Sequence, residues 1–320
     1  MIKTFLSLAF ISLVCADIHF LSVGDWGGAA LGGYHLKNAQ NTAVSMFQFT
    51  NSTNSKFVIN TGDNFYYCGI QNISDPQITE DYVALFSHVD LPWYNCLGNH
   101  DYGFKPEAQL ELPGVIKNWI MDSRYYWHKL VYDEATVNLI ALDTNPCVAD
   151  YRGNDRAKWD PCNFEFPTCG PMPGECFFHQ NILAQECQPQ LDWFKEALDK
   201  IPADEWVIIF GHHRAEEINV ADFQSLLDSS KVHLYLNGHV HSLQHYAING
   251  QAKYITSGAG SMVVPTAAMY MKVFHPKNNV REVWDKTITG YTVHTISGNT
   301  LTTNFLDTNN NILHSFTVSK

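Results

Sequence analysis

Residues 58–69 read VINTGDNFYYCG. Val58 and Ile59 close an apolar run of strand character, Gly62 breaks it, and Asp63 and Tyr66 follow three positions apart. An aspartate at a strand end can simply cap a turn. A carboxylate and a phenol at this spacing can also meet one metal ion, so the reading depends on whether the pattern recurs. It recurs in IHFLSVGDWGG (18–28), PWYNCLGNHD (92–101), VNLIALDTN (137–145), EWVIIFGHH (205–213), VHLYLNGHVH (232–241) and KYITSGAGS (253–261). Each is a short apolar run that predicts a buried strand, followed by a loop of small or polar residues. Helix-like stretches lie between them, at Leu36 to Phe49, Asp81 to His88, Gln190 to Leu198 and Ala221 to Ser229. Strands alternating with helices predict an α/β fold whose ligands collect outside the carboxyl ends of the strands. The tail from Gly290 to Lys320, with Asn- and Gly-rich turns, predicts antiparallel strands that complete a sheet.

The bulk composition narrows the class. A chain of 320 residues with 45% hydrophobic and 13% aromatic residues can bury a sizeable core. Its net charge of −12, from 20 basic and 32 acidic residues, repels nucleic acid and anionic lipid. No nucleic-acid partner is expected. The first residues, MIKTFLSLAFISLVCA, combine an early lysine, an apolar run and a small-residue end, the pattern of a signal peptide spanning 1–16. A single catalytic domain is then expected over 17–320, with no later run long enough to span a membrane and a secreted or lysosomal destination.

Beyond Cys15, seven cysteines remain, and five of them (Cys147, Cys162, Cys169, Cys176, Cys187) crowd into a segment, 146–188, that interrupts the strand–helix rhythm. A zinc ribbon is one reading of such crowding. The spacings are irregular and contain no Cys-x-x-Cys, which favours a disulfide-stapled insertion in a secreted glycoprotein. Cys96, inside an apolar run, is the natural odd thiol, and Asn51 and Asn72 open glycosylation sequons.

The strand-end loops hold the residues that carry chemistry: Asp25, then Asp63 with Tyr66, then Asn99, His100 and Asp101, then His212 and His213, then His239 and His241. On an extended segment His239 and His241 face the same side, and a two-oxygen carboxylate such as Asp63 can bridge two cations roughly 3.5–4 Å apart, the spacing of two-metal phosphoryl-transfer sites. In order and in content, GDWGG, GDNFYYCG, PWYNCLGNHD, VIIFGHH and LNGHVHSLQHY resemble the blocks of the purple acid phosphatases, within the calcineurin-like metallophosphoesterases. The likeness is strongest to the small tartrate-resistant (type 5) animal branch, and DSRYYW, IALDT and YITSGAGS extend it.

This resemblance implies a β-sandwich of two mixed sheets flanked by helices. It implies an Fe(III) ion held by Asp25, Asp63, Tyr66 and His241, and a second divalent ion (iron, zinc or manganese) held by Asp63, Asn99, His212 and His239. The implied activity is hydrolysis of phosphomonoesters, small or on phosphoproteins, by hydroxide at that centre in mildly acidic solution. His100 is the implied proton donor or charge stabiliser. Asp101 either orients His100 or caps a turn, and His213 is a candidate substrate contact. Glu216 or Glu217 could supply an acidic residue to the pocket, and neither is assigned. A phosphodiesterase or nucleotide pyrophosphatase, and an iron-binding glycoprotein with little turnover, are the competing readings.

Overall fold

A computed structural model describes residues 17–154, 175–263 and 279–320. The expected leader, with Cys162 and Cys169 of the insertion, lies outside the described residues. Two seven-stranded sheets pack into a sandwich. In the first, β1 (Ile18–Val23), β2 (Ser55–Asn60), β3 (Trp93–Asn95) and β4 (Trp119–Ile120) run parallel, and β12 (Gly290–Ser297), β13 (Thr300–Asp307) and β14 (Ile312–Ser319) extend the β1 edge antiparallel. In the second, β6 (Thr136–Ala141), β7 (Trp206–Phe210), β8 (Leu234–Asn237) and β10 (Gln251–Ser257) run parallel. Antiparallel β5 (Tyr126–Val131) lies on one side of them, with β9 (Leu243–Ile248) and β11 (Val280–Lys286) on the other. The two mixed sheets expected from the resemblance are therefore present.

The period of two along each strand divides the core. Leu139, Ile208, Phe210, Leu234 and Leu236 join Phe20 and Val58 in one apolar core, while the intervening Ile140, Val207, Ile209 and Tyr235 join Phe194 and Leu198 of the helix Gln188–Lys200 in a second. Because both faces of the second sheet are covered, its inner strands read as unbroken apolar runs rather than alternating ones. Burying each such side chain contributes about 1.5–3 kcal/mol. Helix α1 (Gly33–Ser52) joins the first core through Ala39, Ala43 and Met46.

All seven strands expected from the apolar runs are present, and so are the antiparallel strands of the tail. The expected helix at Asp81 to His88 is replaced by a π-helical turn, Ile78–Val83, and that at Ala221 to Ser229 shrinks to Phe223–Leu227. Cys147 and Cys187 form a disulfide at the base of the insertion, Cys68 and Cys176 are also disulfide-bonded, and Cys96 is a buried free thiol. No helix among the described residues is long and apolar enough to cross a membrane.

Candidate metal centre

The carboxyl ends of the parallel strands converge, and their loops are bent by unusual backbone geometry. Asp25 follows β1, Asp63 follows β2, and His239 and His241 follow β8, with φ of 55°, 53°, 70° and 52° respectively. These are left-handed values that non-glycine residues rarely adopt, and they cluster where function over-determines the backbone. Close glycines make room for them. A Cβ on Gly98 would lie 2.1 Å from Oδ1 of Asp63 and 2.2 Å from its backbone nitrogen.

Each aspartate spends one oxygen on the scaffold and turns the other inward. Asp25 Oδ2 accepts from the His239 amide at 3.0 Å, and Asp63 Oδ1 accepts from the His100 amide at 2.9 Å. The remaining oxygens meet at Tyr66: its hydroxyl lies 3.0 Å from Asp25 Oδ1, 2.9 Å from Asp63 Oδ2 and 3.1 Å from His241 Nε2. His241 Nε2 is itself 3.3 Å from Asp25 Oδ1. On the other side of Asp63, Oδ2 is 3.4 Å from His212 Nε2, and Asn99 Oδ1 sits 2.9 Å from His212 Nε2 and 3.0 Å from His239 Nδ1. Two nests of donors thus share a single atom, Asp63 Oδ2.

The donor set fits two cations better than it fits hydrogen bonds. One phenolic proton cannot serve both carboxylate oxygens beside Tyr66. His212 Nδ1 faces the Thr61 carbonyl at 2.8 Å and must carry a proton there, so Nε2 is the ring atom turned towards the Asn99 and Asp63 oxygens. Octahedral coordination at about 2.0–2.1 Å places neighbouring donors roughly 2.9 Å apart, the separation found in both nests. The first nest, with two carboxylates and a phenol, suits a hard trivalent ion, and the second, with two imidazoles and an amide, suits a divalent one.

The electrostatics favour positive charge here. Burial alone would raise the Asp63 carboxyl, but the imidazoles of His212 and His100 overcome it and hold Asp63 far below the usual carboxylate range. Burial alone would lower His212, and Asp63 overcomes it to bring His212 up to about 9. Burial, then Asp25 and Asp63, push the Tyr66 phenol well above its ordinary value, so that only a strong Lewis acid ionises it.

His100 borders the first nest. Its ring lies 4.5 Å from that of Tyr66, and its Nδ1–H donates to the Tyr67 carbonyl at 2.7 Å, leaving Nε2 to exchange a proton. Asp101 does not meet that ring. Its carboxylate accepts from the amides of Gly98, Asn64 and Phe65.

His213, the expected substrate contact, has both ring nitrogens beside protein hydroxyls. The residue is fully buried, its Nδ1 is 2.8 Å from Thr144 Oγ1 and its Nε2 2.9 Å from the Tyr151 hydroxyl. Ring nitrogens of His213, His212 and His239 lie within 4.8 Å of one another, close enough to share a metal ion.

Glu217 is the residue that sequence reasoning left unassigned. Arg214 is pinned by Glu216 at 2.6 Å, Gln244 at 2.6 Å and Glu282 at 2.7 Å. Its amide donates to Glu217 Oε2 at 3.0 Å, which leaves Oε1 facing His239 Nε2 at 3.8 Å. Burial, then Glu216, push the Glu217 carboxyl up to about 8. Only the pairing of Glu216 with Arg214, two positions away, could have separated the two glutamates in the sequence.

The sequence profile described as calcineurin-like phosphoesterase matches residues 12–243. The chain belongs to that family. Purple acid phosphatase 4 of Arabidopsis thaliana is 31% identical to it over 257 residues, which span 77% of this chain and 68% of that one. Tartrate-resistant acid phosphatase type 5 of Mus musculus is 28% identical over 269 residues, 80% of this chain and 76% of that one. Among solved structures, GAP50, the anchor in the inner membrane complex of Plasmodium, superposes with a TM-score of 0.68 at 19% identity, covering 95% of this chain and 89% of that one, a likeness of fold.

Proposed function

We propose that the chain is an acid phosphatase that hydrolyses phosphomonoesters at an Fe(III)–M(II) centre, with M being iron, zinc or manganese. The carrying observation is the Tyr66 hydroxyl within about 3 Å of two carboxylates and an imidazole, because a phenol adds little to a divalent site and much to a trivalent one. Asp25, Asp63, Tyr66 and His241 would hold Fe(III), and Asp63, Asn99, His212 and His239 the second ion. Bound there, the two cations supply Lewis acidity, which makes hydroxide available below neutral pH and offsets charge developing on the phosphoryl oxygens.

The chain's own groups do the rest. Asp63 fixes the spacing of the two nests through one shared oxygen. Thr61 sets the tautomer of His212. His100, held at Nδ1, presents Nε2 to the leaving oxygen as proton donor. The family match, the relatives named purple acid phosphatases and the disulfides, which fit an oxidising compartment, support this reading, with residues 1–16 directing the chain to the secretory route.

The test is the visible spectrum of the protein as isolated, followed by turnover of an aryl phosphate from pH 4 to 8. A broad purple band that turns pink on mild reduction, with monoester cleavage faster than cleavage of a diester of the same leaving group, is expected. A protein with both metals, no such band and no turnover overturns the proposal.

A further inference from the structure

The insertion that interrupts the strand–helix rhythm reaches back to the turn that carries His100. That turn, His100–Tyr102, is a single 3₁₀ turn in which the Tyr102 amide donates to the Asn99 carbonyl at 3.2 Å and the Gly103 amide to the His100 carbonyl at 3.1 Å. The next three carbonyls, of Tyr102, Gly103 and Phe104, are all met by the short helix Phe178–Leu183 and the residue before it. Asn181 Nδ2 donates to the Tyr102 carbonyl at 2.8 Å and to the Phe104 carbonyl at 2.9 Å, and the Phe177 amide donates to the Gly103 carbonyl at 2.7 Å. A side-chain amide carries two N–H protons, and Asn181 spends both on this one stretch. Its own backbone amide donates to the Phe177 carbonyl at 2.9 Å, so the two donor residues stand one helical turn apart and grip the loop as a unit.

The gripping helix is fixed independently of the loop. Phe178 and Ile182, four positions apart, are buried in the first apolar core, and the Phe178 ring packs edge-on against Tyr151 with centroids 5.0 Å apart. Arg152 Nη1 donates to the carbonyls of Ile182 at 3.3 Å and Gln185 at 2.8 Å, which a helix end otherwise leaves open. The bridge from Cys147 to Cys187 closes the segment at its base. The turn itself is anchored a second time by the Tyr102 hydroxyl, which donates to Asp143 and accepts from Arg124 Nη1 at 2.6 Å. Bonds to two separate supports set the tilt of a one-turn element, and the tilt sets where Nε2 of His100 stands.

We propose that Asn181 is a positioning residue for His100, and that the insertion, through this clamp on three successive carbonyls, holds the proton donor at the leaving oxygen. This rests on the phosphatase reading above. The test compares two substrates of the metal-loaded full chain: nitrophenyl phosphate, whose leaving oxygen departs without a proton, and glycerol phosphate, whose alkoxide must receive one. Asn181→Leu keeps the size of the side chain, removes both donors and improves helix propensity.

In that variant kcat on glycerol phosphate should fall about tenfold, a part of the roughly 10²–10⁴-fold that general acid catalysis supplies, while kcat on nitrophenyl phosphate should fall less than about twofold. Metal content should match the parent's. In a His100→Ala background the same change should cost nothing further on glycerol phosphate. Asn181→Ser, which retains one donor, is read in the same way should the leucine variant not fold. Equal losses on the two esters, no loss on either, or a full additional loss in the His100→Ala background would overturn the clamp and leave the phosphatase reading standing. A metal-loaded parent that hydrolyses neither ester would overturn both.

Discussion

Four of the residues assigned to metal binding, Asp25, Asp63, His239 and His241, sit at positive φ. A left-handed non-glycine residue costs on the order of 1–3 kcal/mol, so the loops hold a strained geometry that cations bound there would offset. Room for that geometry is specific. In Gly98→Ala the new Cβ would stand 2.1 Å from Asp63 Oδ1 and collide with backbone as well, so Asp63 must move, and with it the one oxygen common to both nests. Activity should fall on the order of 100-fold, as misplacements near 1 Å do, and metal analysis should show fewer than two ions per chain; full metal content with full activity would refute the bridging role. Tyr66→Phe probes a different property. It preserves the aromatic packing against His100 and removes the phenol, so the variant should still bind two metal ions but lack the purple band. A visible spectrum identical to that of the parent would show that Tyr66 is not the ligand responsible.

At the level of elements, the centre hangs on strands whose own chemistry sets a limit in acid. On β12, His294 is buried between hydroxyls: its Nε2 is 3.1 Å from Ser22 Oγ and 3.1 Å from Thr292 Oγ1, its Nδ1 is 2.9 Å from Thr303 Oγ1, and its ring stacks on Phe20 at 4.5 Å. Burial pushes its pKa down to about 3 from 6.5. The unfolded chain therefore takes up a proton at this position as pH drops through 6.5, while the folded chain does not until about 3, so stability falls across that window and the loss is complete below it. The full cost is on the order of 5 kcal/mol. His294→Gln keeps a hydrogen-bonding group among the hydroxyls and removes the titration. Its melting temperature at pH 7 should be lower than the parent's, but the further drop between pH 7 and pH 4 should be smaller. Parallel pH profiles in parent and variant would show that His294 does not govern acid sensitivity.

Across the whole molecule, legibility in the sequence followed burial. Strands covered on both faces announce themselves as apolar runs, and all seven such runs became strands with their chemistry at the carboxyl end. The antiparallel strands β5, β9 and β11 did not: β5 and β11 are edge strands with mixed exposure, and β9 follows so directly on the His239–His241 loop that its residues read as part of that loop. The nests themselves were readable because carboxylate, amide and imidazole recur at one kind of place. The surroundings were not, since the partners that take both nitrogens of His213, Thr144 and Tyr151, lie more than sixty positions away. Thr144 also links the site to the chain's long-range staple. It accepts from the His212 amide at 3.2 Å, and three residues on, Cys147 bonds to Cys187 at the head of the helix Gln188–Lys200, while the Cys147 carbonyl holds the amides of Asn219 and Val220. Forty residues separate the two cysteines; by chain entropy a loop of that length stabilises the fold by about 4 kcal/mol. Replacing both by serine should lower the unfolding free energy by roughly that amount in denaturant titrations. Activity in the absence of denaturant should fall much less, because Thr144 reaches His212 through the β6 exit loop itself and not through the sulfur bridge. A loss below about 1 kcal/mol would mean that the covered faces of the second sheet hold this corner without the staple.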